Sequence, residues 1–158
     1  MQIDGLVSAD SIESSSQRWR ADGKRLVFTN GCFDLLHPGH LSLLEDAAGV
    51  GDVLIVAIND DDSVRRLKGE GRPIYPEAER AELLLALRWV DCVTVFSEDT
   101  PQAVIEKIRP DVLVKGDEYG AGQIVGEDFV KSYGGEVRRF PMRKGYATSR
   151  IVGRIEDR

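Results

Sequence analysis

His37 and His40 are the only two histidines of this 158-residue chain, three positions apart with Pro38 and Gly39 between them. They follow a short β-branched and aromatic run, "RLVFTN" (25–30), and open a stretch of helical periodicity, "PGHLSLLEDAAGVG". A helix start carries free N–H groups and a partial positive charge, which suit a phosphate. Imidazoles at i and i+3 project from one side of that first turn. There they add donors that can follow charge developing on a phosphoryl oxygen. Pro38 costs nothing at a first helical position, where its missing N–H has no intrahelical role. Gly39 removes bulk from the same turn, and Gly31 permits a tight strand exit with close approach of backbone to ligand. The chemistry indicated is the handling of a phosphorylated ligand at a strand-to-helix junction.

The elements that must position this junction alternate along the chain. Residues 9–22 suggest a polar leading helix or a loosely attached arm, followed by the strand at 25–30. The next helix carries Leu41, Leu44 and Ala48 on its apolar stripe and stops at Gly49 or Gly51. "DVLIVAIN" (52–59) is apolar on both faces, as in a parallel strand covered by helices on each side. A short helix "DDSVRRLK" leads into the turn-rich "GEGRPIYP". An amphipathic helix is predicted over 77–90, with Ala81, Leu84, Leu85 and the Arg88–Trp89 pair setting its period. "CVTVF", "PQAVIEKIR" and "DVLVKG" read as strand, helix and strand; "EDFVKSYGG", "EVRRFP" and "TSRIVGRI" close the chain as helix, strand and helix. Such alternation predicts an α/β fold with a doubly wound, five-stranded parallel sheet. Ligands then bind beyond the carboxyl ends of the strands, in the loops after residues 30, 59, 96, 116 and 141. The division expected is an N-terminal arm or helix over 1–24 and the α/β domain over 25–158.

Bulk properties narrow the partners. A net charge of −6 argues against a nucleic-acid backbone, though not against small phosphorylated ligands that need only a few local cations. Cys32 and Cys92 form no CxxC pair, so neither a zinc site nor a disulfide framework is indicated. The longest apolar run, "VLIVAI" (53–58), is too short to span a bilayer, and the N-terminus lacks a signal-peptide pattern. The expectation is a cytoplasmic protein with no membrane partner.

"NGCFDLLHPGH" resembles the HxGH signature of the nucleotidyltransferase superfamily, and "LRWVDCV" (87–93) and "GYATSRI" (145–151) continue its cytidylyltransferase-like pattern. "RLKGEGRPI", "EDTP", "DVLVKGDEY" and "IVGEDFVKSYGGEV" are similar to the D-glycero-β-D-manno-heptose 1-phosphate adenylyltransferase subgroup. The likeness runs from about residue 25 to the end. Two departures stand out. The subgroup's "VKGGDY" is Val114 to Tyr119 here, with an added carboxylate, and its "STT" is Ala147, Thr148 and Ser149.

This resemblance implies transfer of AMP from ATP to a sugar 1-phosphate, with magnesium, in a Rossmann-like domain. His37 and His40 would hold the triphosphate and the α-phosphate, and Lys68 would reach a phosphate, with Arg72 as second candidate. Asn30, Gly31, Cys32 and Phe33 would approach the nucleotide by backbone; Gly39, Asn59, Arg88 and Lys115 would lie near it, and Thr148 and Ser149 near the β- and γ-phosphates. Arg88 and Asp91 are similar to a pair found near the nucleotide and at a dimer contact, which implies a homodimer; a surface ion pair is the alternative for Asp91. Asp34, Arg72, Asp117 and Tyr119 are possible acceptor contacts, although Asp34 could instead orient His37 or brace its loop. No carboxylate cluster suggests a metal cage. A sugar kinase is expected on a separate chain. Alternatives are a GDP-heptose-forming or cytidylyl-type transferase on another sugar or polyol phosphate, and a catalytically silent nucleotide-binding module.

Overall fold

A computed structural model describes residues 3–158. Residues 1 and 2 of the expected N-terminal arm lie outside the described residues. Five parallel strands, β1 (Leu26–Gly31), β2 (Val53–Asn59), β3 (Cys92–Phe96), β4 (Val112–Gly116) and β5 (Glu136–Phe140), lie in the order β3-β2-β1-β4-β5. The order reverses between β1 and β4, so the crevice of a doubly wound sheet falls beyond the carboxyl end of β1. Among the described residues, seven helices connect and flank the strands: α1 (Ile12–Ala21), α2 (Pro38–Ala48), α3 (Asp61–Lys68), α4 (Glu77–Leu85), α5 (Gln102–Ile108), α6 (Glu127–Ser132) and α7 (Thr148–Glu156).

Period-2 alternation distributes each strand between two apolar layers. Leu26 and Phe28 of β1 face Ile12 of α1 and Val104, Ile105 and Ile108 of α5. Val27, with Leu54, Val56 and Ile58 of β2, faces Leu43, Leu44 and Ala47 of α2 and Ala81 and Leu84 of α4. Every residue of β2 is buried, which explains its unbroken apolar run.

Of the two alternatives for the leading segment, the structure has the helix, α1, packed on the domain: Ile12 is buried, and Arg20 donates to the carbonyls of Ile108 and Arg109 at 2.9 and 3.0 Å. Two local expectations are corrected. On α2 the buried stripe is Leu43, Leu44 and Ala47, with Leu41 and Ala48 only half-buried. The helix predicted to reach residue 90 ends at Leu85, after which Leu87 and Val90 donate to Leu84 and Leu87 carbonyls in successive turns. That break frees Asp91 to accept the Leu54 N–H at 2.8 Å, closing the start of β3 onto β2.

Candidate active site

The segment joining β1 to α2 is strained and held from all sides. Phe33 (φ 49°) and Leu35 (φ 52°) both occupy the left-handed region, which costs about 1–3 kcal/mol each for non-glycine residues. The turn folds the Phe33 ring back so that a Cβ on Gly31 would lie 3.1 Å from it. Asp34 braces this loop and does not hydrogen-bond His37. Its carboxylate accepts from the N–H groups of Ile74 and Tyr75 at 2.7 and 3.0 Å, with Arg72 at 3.8 Å. Its carbonyl accepts from Thr148 Oγ1 at 2.6 Å, which ties the start of α7 to the same loop.

Arg80 completes the brace. Although charged, it is fully buried, on the stripe of α4 that also carries Ala81 and Leu84. Its guanidinium donates to the carbonyls of Tyr75 (2.9 Å), Cys32 (2.8 Å) and Asn59 (2.8 Å), and to Asp61 Oδ1 (2.8 Å). One side chain therefore joins the histidine loop, the end of β2, the start of α3 and the loop before α4.

The histidines cap α2 reciprocally. Gly39 N–H donates to His37 Nδ1 at 3.1 Å, and His37 N–H donates to His40 Nδ1 at 3.3 Å. Both Nδ1 atoms act as acceptors, so each ring carries its proton on Nε2 and keeps that donor for a ligand. The rings stack with centroids 3.7 Å apart. Burial lowers the His37 pKa, and burial together with the neighbouring His37 lowers that of His40 to about 4. At neutral pH the pair thus offers oriented dipoles rather than charges. Gly39 is needed for this fit, since a Cβ there would lie 3.0 Å from the His37 ring.

This tautomer arrangement has a consequence for stability. The unfolded chain takes up a proton on His40 near pH 6.5 and the folded chain only near pH 4. Stability should therefore be unaffected by His40 above pH 6.5 and fall as the pH drops through that window. The loss between pH 7 and 5 should be at most about 2 kcal/mol. Urea unfolding at the two pH values checks this, and the dependence should flatten in His40→Gln. An undiminished dependence in that variant would assign it to other groups.

The histidines border a cavity of about 460 Å³, within the range of small-molecule sites. It gathers Asn30, Gly31, Cys32, Phe33, Asp34, His37, His40, Lys68, Arg72, Lys115, Tyr119, Thr148 and Ser149 of the residues singled out from sequence. On α3, Arg65 and Arg66 are engaged by Asp62 and Asp99, whereas Lys68 points to the cavity. Lys115 donates to the Asn30 carbonyl at 2.9 Å across the β1–β4 crevice, and burial lowers its pKa to about 8. It remains mostly cationic at pH 7 with further donors to offer. Thr148 is the first residue of α7 rather than its cap, and its proton is committed to Asp34, leaving Ser149 the freer hydroxyl.

Four expected residues do not line the cavity. Asn59 is buried and donates to Ser63 Oγ at 2.8 Å, one turn into α3. Arg88 is exposed and lies over the Trp89 ring at 5.0 Å. Gly39 lies behind the His37 ring. Asp117 is exposed and does not line the cavity, while the adjacent Glu118, also exposed, takes the wall position, its carboxylate folded over Gly116. Asp91 forms neither a cavity contact nor an ion pair among the described residues; its carboxylate serves Leu54. Met142 lines the cavity unannounced by any motif, and Tyr146 and Ala147, inside the "GYATSRI" stretch, line it although no contact is expected of them. Arg80 had a visible signal: an arginine on the apolar stripe of a helix needs buried acceptors.

The cytidylyltransferase-like family model matches residues 28–151. The chain is 48% identical over 154 residues to the bifunctional protein HldE of Alcanivorax borkumensis, covering 98% of this chain and 32% of that protein. It is 54% identical over 147 residues to the bifunctional protein HldE of Koribacter versatilis, covering 93% and 30%. It thus spans about a third of the length of these curated relatives. Among solved structures, the lipopolysaccharide core biosynthesis protein from Thermoplasma volcanium is similar at a TM-score of 0.64 and 26% identity, over 79% of this chain and 100% of that one. Pantoate-beta-alanine ligase from Francisella tularensis, at a TM-score of 0.66 and 15% identity over 96% of this chain and 73% of that one, shares the fold.

Proposed function

The chain belongs to the cytidylyltransferase-like family, and on that premise we propose that it transfers AMP from ATP to D-glycero-β-D-manno-heptose 1-phosphate. The products are ADP-heptose and pyrophosphate, for lipopolysaccharide or other surface-glycan synthesis. One observation carries the reading: a stacked, neutral histidine pair caps α2 at a cavity ringed by Lys68, Arg72 and Lys115. The match of nearly all of this chain to about a third of the HldE relatives and the lipopolysaccharide title of the Thermoplasma structure support the sugar assignment.

In the proposed reaction a phosphate oxygen of the sugar attacks the α-phosphorus of ATP in line. The new P–O bond forms as the bond from the α-phosphorus to the bridging oxygen breaks, and pyrophosphate leaves. A phosphate dianion needs no general base near pH 7, so the protein contributes position and charge stabilisation. His37 and His40 would donate to the triphosphate and the α-phosphate, and Lys68 and Arg72 would balance its charge. Ser149 and the N–H groups at the start of α7 would meet the β- and γ-phosphates. Magnesium would enter as the ATP complex, held largely by the triphosphate and water as is usual for this ion. Residues 25–158 would form the catalytic domain with α1 packed on it, working as a cytoplasmic homodimer supplied by a sugar kinase.

Pyrophosphate release with ATP, GTP, CTP and UTP, each paired with heptose 1-phosphate and other sugar or polyol phosphates, tests the proposal. ATP with the heptose should give the highest kcat/KM. Preference for another base or acceptor would reassign the substrates, and no release from any pair would overturn the transferase reading. Lys68→Ala should lower kcat/KM by about ten- to a thousand-fold, a loss of about 1.5–4 kcal/mol for one or two charged contacts. Unchanged kinetics would move that role to Arg72.

A further inference from the structure

Glu118 and Tyr119 reach the cavity from the connection between β4 and α6, a segment with no strand or helix of its own. A side-chain clamp outside the cavity sets its shape. Glu127, the first residue of α6, keeps only 4% of its side chain exposed. Its carboxylate accepts from Gly122 N–H at 3.1 Å, Lys131 Nζ at 2.8 Å and Arg139 Nη2 at 3.0 and 3.2 Å. Arg139, on β5, also donates from Nε to the Tyr119 carbonyl at 2.9 Å and from Nη2 to the Gly120 carbonyl at 3.1 Å. One guanidinium thus links a buried carboxylate to the two carbonyls directly behind Glu118. At the other end of the turn, Asp117 N–H donates to the Phe140 carbonyl at 2.9 Å. Neither Glu127 nor Arg139 lines the cavity.

We propose that Arg139 and Glu127 are positioning residues for the sugar-phosphate acceptor, holding the 117–124 turn so that Glu118 and Tyr119 meet its hydroxyl groups. The proposal rests on the transferase reading above. Its chemistry follows from the sign of Glu118. A carboxylate repels a triphosphate and accepts from hydroxyls, and the heptose carries more hydroxyls than the ribose of ATP. The phosphates have their own donors in His37, His40, Lys68 and Arg72. Glu118 and Tyr119 would read the sugar only if the turn is fixed, because a shift of about 1 Å is enough to lose productive alignment.

Kinetics and amide hydrogen exchange on the full chain test this. In Arg139→Gln, KM for heptose 1-phosphate should rise at least about tenfold while KM for ATP stays within about twofold. Amides of 118–124 should exchange at least about tenfold faster, with those of α2 unchanged. Glu127→Gln, nearly the same shape, should move both readouts in the same direction. Arg139→Lys can pair with Glu127 but cannot also span the two carbonyls, so it should restore thermal stability more fully than acceptor KM. Equal rises in both KM values, an unchanged acceptor KM, or unchanged exchange in both glutamine variants would overturn the positioning assignment. If the wild-type chain releases no pyrophosphate from ATP and the heptose, the transferase reading fails first and the assignment with it. Normal wild-type turnover with unmoved variants would overturn the assignment alone.

Discussion

Arg80→Met should destabilise the fold by about 3 kcal/mol and disorder the histidine loop, although Arg80 touches no ligand-facing surface of the cavity. Methionine fills most of the stem volume, so the loss isolates the guanidinium. Without it, the carbonyls of Tyr75, Cys32 and Asn59 lose a donor inside the protein, and Asp61 loses its cation. Breaking a buried ion pair from one side typically costs about 3–5 kcal/mol. The lower end applies because Asp61 is one-third exposed and still accepts the Glu77 N–H. The strain at Phe33 and Leu35 persists only while its surroundings over-determine it, so residues 32–36 should relax first. Arg80→Lys retains a charge but cannot fork to four acceptors, and should recover less than half of the loss. Urea unfolding gives the stability, and hydrogen exchange over residues 32–40 gives the loop. A methionine variant within about 1 kcal/mol of wild type, with a protected loop, would show the network to be dispensable.

How much of this site is legible in the sequence depends on how local each cause is. His37, Pro38, Gly39 and His40 lie within one helical turn, so their type and spacing already determine the cap, the shared face and the anion-binding end. The alternation of β-branched runs with amphipathic stretches determines the sheet in the same local way, and β2 announces its double burial by having no polar face. The helix expected to reach residue 90 fails where competition is tertiary: Asp91 is drawn to the Leu54 N–H, and the chain leaves helical geometry to deliver it. Asn59 stands at the correct edge of the sheet, yet its amide finds Ser63 one turn away before it could meet a ligand. Asp117 and Glu118 are adjacent carboxylates in one turn; the expectation falls on Asp117, while Glu118 lines the cavity. The turn is held by groups distant in the chain: Asp117 N–H donates to the Phe140 carbonyl, and Arg139 donates to the Tyr119 and Gly120 carbonyls just beyond Glu118. Met142 and Tyr146 reach the cavity through the β5–α7 connection, whose path is set where Thr148 meets the Asp34 carbonyl.

His40→Ala should cut kcat of the proposed transfer by about a hundred- to a thousand-fold, the usual consequence of removing one preorganised donor from a developing charge. ATP affinity measured without acceptor should fall far less, because only interactions stronger in the transition state raise kcat. The structure divides the side chain into two jobs. Nδ1 accepts the His37 N–H and closes the cap of α2, while in the proposed reaction the Nε2 proton would serve the α-phosphate. Loss of the cap alone should cost about 0.5–2 kcal/mol of stability. Two conservative variants separate the jobs, since an asparagine side chain places a polar atom near the Nδ1 position and a glutamine near that of Nε2. His40→Asn should therefore restore stability while leaving kcat low. His40→Gln should recover part of kcat with little gain in stability. The reverse pattern would place the active donor on the other nitrogen. Normal turnover at saturation with weakened ATP binding in all three variants would make His40 a ground-state ligand, and transition-state stabilisation would then rest on His37 and the helix terminus.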